Sequence, residues 1–278
     1  MLVYKLVAMD MDGTLLNSDK YISEENQRLL DYIKKLNINI SLSTGRLFTS
    51  AKGYANYLGG GIYIISCNGA YVTDTEYNDI AFHPMGKNEA EAVIDICHKY
   101  NIYFHFFDRA KMYLETDLGG QFVYLKGNDL FLDEDKLEFV VDKDLKKLVH
   151  SHDMEILKYV IVDRDKDKLK KVRNELEELN VEISSSTPTN IEVTTLGVNK
   201  GLALTELMNY LGISKDEVLA MGDSENDISM LKMAGISVAM GNGRKDVKNM
   251  SDYVTATENN NGVAQALRHF IVGDDSGI

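Results

Sequence analysis

Leu6-Val7-Ala8-Met9-Asp10-Met11-Asp12-Gly13-Thr14 is the stretch on which the fold turns. Four apolar residues in a row predict a short strand buried on both faces, as in a parallel sheet covered by helices. A polar loop takes over at once, with carboxylates at Asp10 and Asp12 and a glycine behind them that lets the chain turn sharply. In an open parallel sheet, ligands bind beyond the carboxyl ends of the strands, so two carboxylates placed there face one crevice.

The pattern repeats outward from that strand. Ser23 predicts a helix cap with Glu24 and Glu25 in the first turn, and Leu29, Leu30, Ile33 and Leu36 form the apolar face. Ile38, Ile40 and Leu42 predict a second strand running into Ser43-Thr44-Gly45-Arg46. Residues 62–65 predict a third, ending at the turn pair Asn68-Gly69. Strands alternating with helices imply an α/β fold with a mostly parallel sheet and right-handed crossovers. The same alternation returns after Lys200: a helix through Leu204, Leu207 and Leu211, a strand over 218–221 running into Gly222-Asp223, and strands near 236–240 and 253–255.

Between these halves the order changes to helix (89–99), aromatic-rich strands (103–107 and 112–115), strand (157–162), charged-faced helix (169–179) and strand (Ile191, Val193). That order suits an α+β unit. The two prolines of the chain, Pro84 and Pro188, fall at the junctions and would stiffen them. The expected division is therefore residues 1–84 with 189–278 as one domain and residues 85–188 as an insertion. Tyr103, Phe104, Phe106 and Phe107 are read as core of the inserted unit, His83 and His105 as structural histidines, and His150 with His152 as part of a polar loop.

The chain has 278 residues, 44% hydrophobic and 26% charged, with a formal net charge of -13. That is the make-up of a globular protein with a sizeable core. Its acidity argues against nucleic acid as a partner. No apolar run reaches membrane-spanning length. No basic segment leading into an apolar run marks the start, so no signal peptide and a cytoplasmic location are expected. Cys67 and Cys97 lie in apolar contexts without metal-ligand spacing and are read as buried free thiols.

Three further motifs join Asp10 and Asp12. Thr44 and Gly45 combine a hydroxyl with an accessible backbone N–H, a suitable cradle for a phosphate oxygen. Lys200 opens a helix, where the dipole disfavours a cation unless an anion sits nearby. Gly222-Asp223-Ser224-Glu225-Asn226-Asp227 puts three acids in five positions at a strand end, a plausible site for a hard cation. A carboxylate, a hydroxyl, an ammonium and a cation site thus recur at the same edge of one sheet. In an acidic protein a phosphate site needs this local positive charge.

Asp10-Met11-Asp12-Gly13-Thr14, Thr44-Gly45-Arg46, Lys200-Gly201 and the Gly222 to Asp227 run, in that order and with the large insertion between the second and third, resemble the haloacid dehalogenase-like superfamily, Cof-type phosphatase subgroup. The resemblance spans nearly the whole chain. It implies a Rossmann-like core with an inserted α+β cap after the third strand. It also implies Mg²⁺-dependent hydrolysis of a small-molecule phosphate ester, such as a sugar phosphate or a cofactor phosphate like flavin mononucleotide or pyridoxal phosphate. By the same resemblance Asp10 is the nucleophile and Asp12 the general acid/base; giving the leaving oxygen a proton requires Asp12 to be protonated as substrate binds. Mg²⁺ is held by Asp10, the Asp12 backbone carbonyl and Asp223, with Asp227 in support. Thr44, Gly45, Lys200, Asn226 and the Met11 backbone hold the phosphoryl group, and Arg46 and Asn68-Gly69 stand at the rim. Two other readings use the same residues: a phosphotransferase or mutase, and a catalytically silent phosphate-binding protein.

Overall fold

The computed structural model describes residues 4–116 and 138–273. Two sheets carry the chain. The first has eight strands: β1 (Leu6–Met9), β2 (Asn39–Ser43), β3 (Tyr63–Ser66), β4 (Tyr71–Thr73), β5 (Asp79–Phe82), β12 (Val218–Gly222), β13 (Ile236–Ala239) and β14 (Tyr253–Val254), in the spatial order β14-β13-β12-β1-β2-β3-β4-β5. From β14 to β3 every pairing is parallel, and β4 and β5 add an antiparallel edge. β1 is central and buried throughout, with Val7 and Met9 in one hydrophobic cluster and Leu6 and Ala8 in the other. This is the α/β, Rossmann-like core.

Helix α1 (Glu24–Lys35) shows how local chemistry and burial agree. Ser23 caps it by accepting from the Asn26 N–H at 3.2 Å, acids fill the first turn, and Lys34 and Lys35 fill the last. Leu29, Leu30 and Ile33 are fully buried against the Val7 and Met9 side of the sheet. Leu30→Ala there would cost about 2–5 kcal/mol. Helix α2 (Phe48–Tyr57) covers the same side through Tyr54 and Ala55.

The second sheet has six strands: β6 (Tyr103–Phe107), β7 (Lys111–Leu114), β8 (Glu138–Val141), β9 (Lys158–Val162), β10 (Val181–Ser184) and β11 (Asn190–Thr195), ordered β10-β11-β9-β6-β7-β8. Helices α3 (Lys87–Lys99), α4 (Leu145–Ser151) and α5 (Lys166–Leu176) pack on one face, where Phe104, Phe106, Tyr159, Ile161, Ile191 and Val193 meet them. Side chains alternate along strands, so Tyr103, His105, Lys158, Val160, Val162, Asn190 and Glu192 take the opposite face, toward the first sheet.

Three expectations change. The inserted segment leaves the first sheet after β5 rather than after the third strand, because the Asn68-Gly69 turn folds the chain back into β4. The boundary expected at Pro188 falls inside a hairpin: β10 and β11 pair antiparallel across it, so the second sheet runs to Thr195. His150 closes a short helix instead of sitting in a loop, with Asp144 as its cap. Helices α6 (Lys200–Leu211), α7 (Ile228–Met233), α8 (Lys245–Met250) and α9 (Gly262–Leu267) complete the first layer system. Both cysteines are buried and unbridged, and burial pushes the Cys67 thiol up to about 12. Among the described residues no helix is long and apolar enough to cross a membrane.

Candidate active site

Register places the motifs. Met9 pairs with Met221 on one side and with Leu42 on the other, so the carboxyl ends of β1, β12 and β2 lie side by side. Asp10, Asp223 and Thr44 are the next residues along these three strands or one further on. The Asp10 N–H donates to the Met221 carbonyl at 3.0 Å and ties the two loops together. Gly13 has φ of +88°, and a Cβ there would lie 2.7 Å from Asp223 Oδ2. Only glycine satisfies both demands.

Lys200 is the first residue of α6, which Asn199 caps by accepting from the Gly201 and Leu202 N–H groups. Its ammonium donates to Asp10 Oδ1 at 2.6 Å and to Asp227 Oδ1 at 2.7 Å, all three side chains being buried. Burial opposes the charge, but the two carboxylates outweigh it and hold Lys200 above the ordinary lysine range. Asp227 Oδ2 accepts the Asp223 and Ser224 N–H groups, each at 2.9 Å. Both its oxygens are therefore engaged.

Ligand atoms of Asp10, Asp223 and Asp227 lie within 4.8 Å of one another. Three carboxylates against one ammonium leave an excess of negative charge in a buried place. Burial accordingly pushes the Asp10 carboxyl well above its usual range, with Asp227 and Asp223 adding to the effect against the pull of Lys200. Burial and then Asp227 push Asp223 up to about 7. An all-oxygen, anion-rich cluster fits a hard divalent cation such as Mg²⁺. Asp10 and Asp223 have oxygens to offer; Asp227 is committed to holding Lys200 and the Asp223 loop.

Asp12 turns the other way. Its carboxylate accepts from Arg46 Nε at 2.6 Å, Arg46 Nη2 at 2.8 Å and Lys20 Nζ at 2.7 Å. Burial pushes its carboxyl up, but the two cations win and hold it well below the usual range. The free protein thus favours ionised Asp12, while the expectation of a protonated Asp12 concerns the substrate-bound state. Arg46 is buried, not at the rim: it also donates to Ser50 Oγ at 3.2 Å and lies over the Tyr54 ring. Its N–H occupies a lone pair of Thr44 Oγ1 at 3.1 Å.

Asn68 is likewise buried rather than rim-exposed, because the second sheet closes over it. Lys158 and Glu192, side by side at 3.4 Å and almost fully buried, reach down from that sheet. Lys158 Nζ donates to the Gly45 carbonyl, and Glu192 accepts from Asn68 Nδ2 at 2.5 Å and from Ser186 Oγ at 2.7 Å. A Cβ on Gly45 would lie 2.9 Å from Lys158 Nζ. Sequence reasoning missed Lys158 and Glu192. Their signal was a charge at an alternating strand position, Lys158 at the head of the apolar run 159–162 and Glu192 between Ile191 and Val193. Tyr103, expected in the aromatic core, and His105, read as a structural histidine, both line the cleft. Burial, then Lys158, press the His105 imidazole down to about 3, so it is neutral at working pH. Together the two layers enclose a cavity of about 900 Å³ whose floor holds Asp10, Asp12, Thr44, Gly45 and Asn226.

A haloacid dehalogenase-like hydrolase family profile matches residues 7–267. The 5-amino-6-(5-phospho-D-ribitylamino)uracil phosphatase YcsE of Bacillus subtilis (strain 168) is 34% identical over 273 residues, covering 96% of each chain. Among solved structures, a haloacid dehalogenase-like hydrolase from B. subtilis superposes with a TM-score of 0.87 at 28% identity, over 96% of this chain and 100% of that one. The sugar phosphatase BT4131, of HAD subclass IIB, gives 0.80 at 25% identity, over 96% and 98%. The chain belongs to the haloacid dehalogenase-like hydrolases, as a Cof-type phosphatase acting on phosphoric monoesters.

Proposed function

We propose that this phosphatase is Mg²⁺-dependent and works through an aspartyl-phosphate formed on Asp10, with residues 85–195 as a cap that selects the substrate. The observation that carries the reading is the buried junction of Asp10, Lys200, Asp227 and Asp223, which reaches the floor of the cavity through Asp10. Asp10 and Asp223, with the Asp12 backbone carbonyl, would hold the ion, which would supply positive charge to the phosphoryl oxygens. Lys200 adds a second positive charge beside the attacking carboxylate. Thr44, Gly45, Asn226 and the Met11 backbone hold the transferring group. Attack by Asp10 Oδ on phosphorus forms the acyl phosphate and expels the substrate oxygen, which takes a proton from Asp12; Asp12 as carboxylate then draws a proton from water for the second displacement. The reading requires Asp12 to gain that proton as the anionic phosphate arrives and its pairing with Arg46 and Lys20 loosens.

The cavity wall suits a polyhydroxylated leaving group. Asn101, Asp163, Arg164, Ser186, Thr187 and Asn190 line it, offering donors and acceptors for several hydroxyls. Sugar or polyol phosphates, including a ribitylamino-pyrimidine phosphate like the one in the relative's name, fit that wall better than pyridoxal phosphate. The test is phosphate release from a panel of such esters, with and without Mg²⁺, by wild type and Asp10→Asn. The variant should keep the fold and lose turnover. Substantial residual turnover by Asp10→Asn would remove the nucleophile assignment, and Mg²⁺-independent release would remove the metal.

A further inference from the structure

Asn68 sits in the middle of three successive residues with positive φ, Cys67 at 48°, Asn68 at 56° and Gly69 at 100°. Two of these carry a Cβ, so the backbone is held in a costly conformation. What it achieves is to lodge the Asn68 amide between the two sheets. There Asn68 Nδ2 donates to Glu192 Oε2 at 2.5 Å, and Asn68 Oδ1 accepts from Asn226 Nδ2 at 3.1 Å. Asn226 lines the cavity floor, and its buried Oδ1 has no hydrogen-bond partner among the described residues.

The polarity of this chain follows from one fact. Amide ends are chemically distinct but nearly equal in shape, and only their partners decide which way each points. A carboxylate accepts and never donates. Glu192 is surrounded by donors: Asn68 Nδ2, Ser186 Oγ at 2.7 Å, Asn190 Nδ2 at 3.1 Å and Lys158 Nζ at 3.4 Å. Asn68 must therefore turn its NH₂ group to Glu192 and its oxygen to Asn226. Asn226 must answer with one N–H of its own NH₂ group, which leaves the second N–H of that group to donate to a phosphoryl oxygen.

We propose that Glu192 is a positioning residue for phosphoryl transfer which, acting through Asn68, sets the orientation of the Asn226 amide. The proposal rests on the reading that Asn226 contacts the transferring phosphoryl group. Without Glu192, Asn68 and Asn226 can both flip as a pair with their hydrogen bond intact, and the flip withdraws the Asn226 NH₂ donor and offers phosphoryl oxygens an amide oxygen that repels them. Lys158 serves the same arrangement from the other side: it neutralises Glu192 and pins the Gly45 carbonyl.

The test is a double-mutant cycle on the full-length, Mg²⁺-loaded enzyme, with an aryl phosphate as substrate and inorganic phosphate as product inhibitor. Glu192→Gln should lower kcat/KM about tenfold, a usual effect for a residue that orients a site group, and weaken inhibition by phosphate. In an Asn226→Ala background the same substitution should cost less than about twofold, because its target is gone. Losses that multiply undiminished, or a Glu192→Gln enzyme equal to wild type, would overturn the relay. If Asn226→Ala alone leaves kcat/KM and phosphate inhibition unchanged, the underlying reading of Asn226 fails instead, and the relay with it. Should the unpaired Lys158 unfold the single variant, Glu192→Gln with Lys158→Met removes both charges, breaks the relay equally and should show the same lost coupling.

Discussion

Lys200→Met is the most informative perturbation of the floor, since it deletes one buried charge that two carboxylates share. At 2.6 and 2.7 Å, each contact carries roughly 6 kcal/mol of gross Coulomb attraction at an effective dielectric of about 20. Most of that offsets the cost of burying the ions. Removing one partner still leaves the others buried and uncompensated, a net loss of about 3–5 kcal/mol. The loss should depend on pH. Asp10 already has its carboxyl raised by burial, and deleting Lys200 raises it further. A raised folded pKa favours the fold below the unfolded value of about 4 and loses that advantage as pH rises through the folded value. The deficit relative to wild type should therefore be larger at pH 8 than at pH 5. Denaturant titrations of both proteins at these two pH values, without divalent ions, measure it. A deficit under about 1 kcal/mol at pH 8, the size of an exposed ion pair, would refute the reasoning, and so would one that fails to shrink toward pH 5. Turnover should fall about 10²- to 10³-fold, as for loss of a preorganised charge-stabilising donor.

Other outcomes follow from the same geometry. Mg²⁺ should raise the melting temperature more at pH 8 than at pH 5.5, because Asp223, pushed up to about 7 by burial and by Asp227, must lose its proton to bind the ion; equal shifts at both pH values would contradict this. Gly45→Ala should cost about 1–3 kcal/mol of stability together with activity, since the new Cβ would meet Lys158 Nζ at 2.9 Å and Asn68 Oδ1 at 3.0 Å; a neutral result in thermal melts and assays would mean the roof yields freely. Arg46→Leu removes a partner that holds the Asp12 carboxyl low against the effect of burial. Such a pair stabilises above the unfolded carboxyl value and loses that effect as pH falls through the folded one. Unfolding curves should then show a loss of about 1 kcal/mol at pH 7, allowing for solvent screening, that fades below about pH 4.

Much of the floor was legible in the chain because each part obeys a local rule. Leu6 to Met9 could only be a strand buried on both faces, and Asp10 had to follow it. The Gly222 to Asp227 run and Lys200 were readable because strand ends and helix starts impose their own chemistry. What escaped reading depends on contacts between segments far apart. Asp12 carries no mark in its neighbourhood that Arg46, 34 positions on, will clamp it. Lys158 and Glu192 look like outward-facing charges on half-exposed strands until a second layer covers them. β4, β5 and β10 are three or four residues long, too short for periodicity to declare itself, and Pro188 marks a turn within a hairpin as readily as a boundary.

The second sheet is threaded into the first through two short connections, after Phe82 and before Lys200, that lie close together: a Cβ on Gly69 would touch the Asn199 carbonyl, and the His83 N–H donates to the Ala70 carbonyl at 2.8 Å. A segment whose entrance and exit are neighbours can be exchanged as a cassette. Selectivity could thus be rewritten by grafting another domain at these points while Asp10, Asp223 and Lys200 stay untouched. The graft would have to bring its own substitutes for Lys158 and Glu192, or the Gly45 carbonyl and the Asn68 amide would be stranded beneath it.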